Sequence, residues 1–179
     1  MLKHTGTIQI ESERLILRKF VYSDIPHMLK NWIANPAVQN EYGEPAYKTV
    51  DDVHELLSKW IANYNNDNFY RWAIILKENN ENIGQIAFCK VYTEIETAEI
   101  EYCIGENYVG KGFGKLLYSK LISELVSSGF HTAIGGIALP NEASVRLHES
   151  LGFKQVAQFQ EVGNKFGRWI DVGFWQVML

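Results

Sequence analysis

The sequence predicts one α/β (α+β) domain over residues 1–179, a mixed sheet of about seven strands with four helices on both faces. Three observations predict it. The 179 residues suffice for one substantial core and are few for two. After the first two helical runs, the order of apolar periodicities is ββαβ, which a mixed sheet with covering helices satisfies. No internal repeat, low-complexity tract or linker interrupts the chain.

Residues 14–20 alternate well enough for a first strand. Ser23 is the expected N-cap of a helix to Ala34, with Ile25, Met28, Leu29, Trp32 and Ile33 at helical spacing. Asn35-Pro36 stops it, and the segment to Tyr47 reads as a loop. Thr49 and Asp52 form a capping-box pattern that opens a second helix to Tyr64. Residues 70–76 and 83–92 read as a hairpin across the polar run 78–82. A fourth strand (98–104), a glycine-rich turn and a third helix (116–126) follow. Residues 133–138 are strand-like, Asn141 begins a fourth helix ending at Leu151-Gly152, and two strands (153–162, 169–178) complete the chain.

Composition narrows the function. The chain is 46% apolar and 21% charged with net charge −4, so no overall basic field draws it to nucleic acid. The start lacks the apolar core of a signal peptide, and no run approaches the ~18 apolar residues of a membrane span. A soluble cytoplasmic protein is expected. Cys89 and Cys103 are the two cysteines, which provides neither a disulfide framework nor a cysteine metal cluster.

The chemistry concentrates in residues 105–115, GENYVGKGFGK, placed between a strand and a helix. Glycine-rich backbone before a helix N-terminus gathers unpaired N–H groups and the positive end of the helix dipole, a setting for phosphate. A P-loop needs Ser or Thr where Gly112 stands, so the magnesium logic of an NTPase fails. The dinucleotide fingerprint needs a third glycine where Lys115 stands. Gly110, Gly112 and Gly114, flanked by Lys111 and Lys115, exceed what a helix cap requires.

The run from Val109 to Gly114 resembles the acetyl-CoA pyrophosphate loop of the GNAT superfamily of N-acetyltransferases, Gln/Arg-x-x-Gly-x-Gly/Ala. Gly112 and Gly114 match its glycines. Val109 departs at the Gln/Arg position and leaves that contact to a backbone N–H. Residues 139–153, LPNEASVRLHESLGF, resemble the second cofactor segment of the same superfamily. Residues 141–153, followed by residues 162–176, are similar to the phosphinothricin and methionine-sulfoximine acetyltransferases. Residues 14–18, Asp24 and the Trp72-Ala73-Ile74-Ile75 strand are more like the ribosomal-protein N-terminal acetyltransferases. The resemblance implies a GNAT-like, mostly antiparallel sheet, acetyl-CoA as co-substrate, no metal, and a homodimer.

It also implies a bulge in the fourth strand that splays it from the fifth, so that the pantetheine arm adds like another strand. The backbone of Tyr102, Cys103 and Ile104 then lines the acetyl end. Val109, Gly110, Lys111, Gly112, Phe113, Gly114 and Lys115 cradle the phosphates, and Asn141 contacts the pantetheine.

Acyl transfer to an amine calls for a base or water-holder, a donor for the thioester oxygen and a proton for the thiolate. Glu101, in an otherwise apolar strand, is the candidate base, and Glu99 competes from the same side of the strand. His148 occupies the position where many relatives carry an acidic tyrosine; it is either the acid or a packing residue. Cys103, with no histidine near it in sequence, reads as a small core residue. Trp32, Tyr42, Tyr70, Trp72, Trp169 and Trp175 are candidates to line the acceptor pocket, although such aromatics are usually core. The expected activity is acetyl transfer to a primary amine, either an amino acid analogue or a protein N-terminus, with no nucleic acid or membrane as partner. The rival is a non-catalytic CoA-binding sensor or scaffold.

Overall fold

The run Arg71–Leu76 shows how the sequence builds two cores. Trp72, Ile74 and Leu76 are buried in one apolar cluster, while Ala73 and Ile75 are buried in the other. Successive strand residues point to opposite faces, so a strand covered on both sides needs an unbroken apolar run. The computed structural model describes residues 2–179. Its strands are β1 (Ile10–Glu11), β2 (Leu15–Arg18), β3 (Arg71–Leu76), β4 (Glu81–Tyr92), β5 (Thr97–Ile104), β6 (Thr132–Leu139), β7 (Lys154–Lys165) and β8 (Arg168–Met178). They form one sheet in the order β1-β2-β3-β4-β5-β6-β8-β7, antiparallel except where β6 lies parallel to β5.

The helices are α1 (Ile25–Asn31), α2 (Pro36–Tyr42), α3 (Val50–Asn63), α4 (Phe113–Ser128) and α5 (Glu142–Ser150). Met28 and Trp32 at α1 and Val53 and Leu57 of α3 pack on Ala73, Ile75 and Cys103. Phe113, Leu117, Tyr118, Leu121 and Leu125 of α4 join the cluster of Trp72 and Ile74 on the opposite face. The capping box of α3 is present, with Asp52 N donating to Thr49 Oγ1 at 3.1 Å and Thr49 N to Asp52 Oδ2 at 3.2 Å.

Four expectations need correction. The sheet has eight strands rather than about seven, because β1 is two residues long, too short to show a period. There are five helices, not four: 36–42 is helix α2, not loop. Asn35-Pro36 does end the preceding helix, but it also starts the next. The Asn35 side chain accepts from Ala37 N and Val38 N, Pro36 sits where its missing N–H costs nothing, and Gly43 closes the helix left-handed at φ 96°. Ser23 does not cap α1. Asp24 does the local work instead, accepting from Val21 N at 3.0 Å while Arg18 grips both its oxygens at 2.7 and 2.8 Å. Finally, the irregularity beside the fourth expected strand lies in its neighbour: the extra residue is Cys89 of β4, between the pairs Phe88↔Ile100 and Lys90↔Glu99. The splay itself is present, since β5 and β6 pair only from Thr97↔Thr132 to Ile100↔Gly135.

Candidate functional site

Beyond Ile100 and Gly135 the parted strands open a cleft of about 1010 Å³. Glu101, Tyr102, Cys103 and Ile104 form one lip, and Gly136, Ile137 and Ala138 the other. One end of the cleft is the glycine-rich loop. Gly110 and Gly112 hold φ of 77° and 79°, and a Cβ built on either meets nothing within 4 Å, so conformation rather than crowding demands glycine there. Gly114 differs: its Cβ would stand 2.9 Å from Leu147 Cδ2, and its absence lets α4 approach α5. Gly112 is the N-cap of α4 and no side chain caps that end, so the first N–H groups of a 16-residue helix remain for an anion.

Val109, Gly110, Gly112, Gly114, Lys115 and Asn141 all line the cleft. Lys111 and Phe113 do not. Phe113 is buried under the Arg14 guanidinium, 4.3 Å from its ring, and anchors the first turn of α4. Lys111 lies with its ammonium 5.6 Å from the Tyr108 ring, while its carbonyl accepts from Arg14 at 3.3 Å. Arg146 lines the cleft and was not foreseen; its helical position after the Asn141 cap was the available signal. Asn141 Oδ1 caps α5 through Ser144 N at 3.0 Å, and its Nδ2 donates to Glu41 of α2 at 3.1 Å.

A second cavity of about 590 Å³ lies beside the cleft, walled by Trp32, Tyr47, Trp60, Tyr70 and Arg71. Tyr42, Cys89 and Glu101 line both cavities, so the two meet at Glu101. Of the six aromatics expected around an acceptor, Trp32, Tyr42 and Tyr70 are in this wall. Trp72 and Trp175 are buried core, and Trp169 is exposed on β8.

Glu101 is held on one oxygen. Tyr42 Oη donates to Oε1 at 2.6 Å and Arg71 Nη2 donates to the same atom at 2.8 Å, while Oε2 takes no hydrogen bond among the described residues. Arg71 also donates through Nη1 to Gln85, lies 4.6 Å over the Trp60 ring, and leaves its buried Nε without a partner. Sequence reasoning missed Tyr42 as a partner of Glu101, and Arg71. The signal for Arg71 was a single cation within an otherwise apolar strand. Glu99 also borders the cleft, with Oε2 3.1 Å from Lys90 Nζ.

His148 is buried. Its Nδ1 lies 2.8 Å from the Ser144 carbonyl, which can only accept, so Nδ1 carries the proton. Nε2 therefore accepts from Tyr118 Oη at 3.2 Å and has no proton of its own to give. Burial lowers the His148 pKa and raises that of the Tyr118 phenol. This arrangement predicts a stability slope. The unfolded chain takes up the His148 proton near 6.5 and the folded one only at lower pH, so the contribution is intact above 6.5 and is lost as pH falls through the lowered value. Urea midpoints measured down to about pH 5.5 should fall less steeply for His148→Leu than for the parent.

Burial pushes both thiols up to about 12, with Glu101 adding to the effect, which leaves Cys89 and Cys103 as thiols rather than nucleophiles. Among the described residues no three His, Cys, Asp or Glu side chains cluster to hold a metal, and no helix is long and apolar enough to cross a membrane.

Comparisons with known proteins agree with this geometry. The acetyltransferase (GNAT) domain family matches residues 14–154. The phosphinothricin N-acetyltransferase of Streptomyces coelicolor is 35% identical over 124 residues, 65% of this chain and 71% of that protein. The L-amino acid N-acyltransferase MnaT of Escherichia coli is 45% identical over 83 residues, covering 46% of this chain and about half (48%) of its relative. Among solved structures, the ribosomal L7/L12 alpha-N-protein acetyltransferase RimL in complex with coenzyme A superposes with a TM-score of 0.82 at 17% identity, over 96% of this chain and 98% of that one. A split sheet, an uncapped glycine-rich helix start and a domain match over most of its length all place the chain in the GNAT acetyltransferase family.

Proposed function

We propose that the protein transfers the acetyl group of acetyl-CoA to the primary amine of an amino acid analogue or a protein N-terminus. The observation that carries this reading is the meeting of two cavities at Glu101, one ending in an uncapped helix start and the other walled by aromatics. The loop N–H groups from Gly110 to Lys115 hold the pyrophosphate, aided by the helix dipole of α4. Lys115 and Arg146 add positive charge along the cleft. The free lip of β5, from Tyr102 to Ile104, presents backbone to the pantetheine, and Asn141 stands opposite. Bound acetyl-CoA supplies an activated thioester.

As the amine nitrogen bonds to the acetyl carbon and the carbon–sulfur bond breaks, Glu101 takes the amine proton on Oε2, with Glu99 as the competing carboxylate, and CoA departs as the thiolate, which takes its proton from water. With Nε2 occupied by the Tyr118 hydroxyl, His148 orients that phenol at the cleft wall. The same reading places the protein in the cytoplasm as a homodimer. Phe159, Val162, Phe166 and Trp169, exposed on the β7–β8 hairpin, support an apolar contact between copies.

Free-thiol release from acetyl-CoA, followed over methionine sulfoximine, an N-terminal peptide and spermidine, tests the assignment. Turnover with either of the first two is the expected result. Tight CoA binding with no release on any amine would instead identify a non-catalytic CoA-binding module.

A further inference from the structure

The partition between the two cavities is α2, the helix that sequence periodicity did not reveal. Ala37, Val38 and Glu41 border the cofactor cleft, Gln39 borders the acceptor cavity, and Tyr42 borders both. Because Tyr42 is the last residue of α2, its placement depends on how that end is fixed. The final carbonyls of a helix lack intrahelical donors. Here Lys165, from the far β7–β8 hairpin, supplies them: its Nζ donates to the Asn40 and Glu41 carbonyls at 3.0 and 2.6 Å. A cation is also favoured at the negative end of a helix. Lys165 itself borders neither cavity.

Tyr42 then meets Glu101 at 2.6 Å. Burial, together with the Glu101 carboxylate, holds the Tyr42 phenol well above its ordinary pKa, so it keeps the proton that it donates. Arg71 delivers a second donor to the same Oε1 from β3, and Gln85 of β4 fixes Arg71 in turn.

We infer that Tyr42 is a positioning residue for acetyl transfer: by occupying Oε1 of Glu101 with Arg71, it leaves Oε2 as the oxygen available to the acceptor amine, and Lys165 holds Tyr42 in place by fixing the end of α2. This inference rests on the reading of Glu101 as the base. Neither Tyr42 nor Lys165 takes up a proton from the amine. They set the direction from which Glu101 does so.

Steady-state kinetics on the full chain test it, with acetyl-CoA and the amine turned over best in the panel. Tyr42→Phe removes the donor and little volume. A lost hydrogen bond to a charged group predicts a kcat about tenfold lower, with the acetyl-CoA KM within about twofold of the parent and an unchanged melting temperature. Lys165→Met should lower kcat in the same direction by about threefold, since it acts through one intervening helix end, and Lys165→Arg should restore it by keeping a donor there. Parental kcat in Tyr42→Phe, or a loss confined to the acetyl-CoA KM, overturns the positioning role. If Glu101→Gln is inactive in the same assay, the base assignment survives that failure. A fully active Glu101→Gln overturns both. Parental kcat in Lys165→Met removes Lys165 from the arrangement.

Discussion

Glu101→Gln is expected to lower turnover by about 10²–10⁴-fold, the range for loss of a positioned general base. Glutamine keeps an oxygen for Tyr42 and Arg71, so the side chain can stay where it is while losing its ability to take a proton. The acetyl-CoA KM should therefore change little, because the loop and helix start proposed to hold the pyrophosphate lie elsewhere in the cleft. Glu99→Gln is the matched control. It removes the carboxylate paired with Lys90 at 3.1 Å and leaves the junction of the two cavities intact. If the large loss follows Glu99 and not Glu101, the base assignment moves two residues along β5. Initial rates of thiol release at saturating amine separate the two outcomes.

Gly112→Val should raise the CoA Kd by about 10–100-fold, as a β-branched residue at φ 79° adds strain of order 1–3 kcal/mol. Nothing lies within 4 Å of the new Cβ, so the loop can relieve that strain by rearranging without disturbing the core. The expected signature is lost affinity by calorimetry with the melting temperature nearly kept. Gly114→Val should do the reverse. Its Cβ would stand 2.9 Å from Leu147 Cδ2, so α4 and α5 must separate, and stability is lost first. Two glycines two positions apart thus report on different properties, one on ligand affinity and the other on packing.

Much of this was legible in the sequence because local chemistry dictated it. Thr49 and Asp52 can satisfy each other wherever the rest of the chain goes, and the capping box formed as read. The unbroken apolar run of β3 required cover on both faces and received it. Gly110 and Gly112, read as part of a glycine-rich turn before a helix, do precede α4, and both adopt a left-handed backbone. What stayed hidden depended on contacts between segments distant in the chain. Helix α2 is seven residues long, about two turns, too short for a clear apolar period, and its end is fixed by a lysine 124 residues away. Glu101 was visible as an odd carboxylate in β5, yet its partners Tyr42 and Arg71 come from 59 and 30 residues earlier. His148 could be read as an acid from its residue type alone. Only the Ser144 carbonyl beside Nδ1 decides where its proton sits.

The shared wall has a consequence for anyone redesigning this protein. Residues of α2 line both the cleft proposed for acetyl-CoA and the cavity proposed for the amine, so on that reading substitutions there trade selectivity for the amine against grip on acetyl-CoA. Leu56 and Trp60 of α3 line the proposed acceptor cavity and not the cleft. Of the two, Leu56 carries no stacked arginine, whereas Trp60 supports Arg71 at 4.6 Å. A library at Leu56 is the place where a new amine can be sought with the cofactor site left untouched.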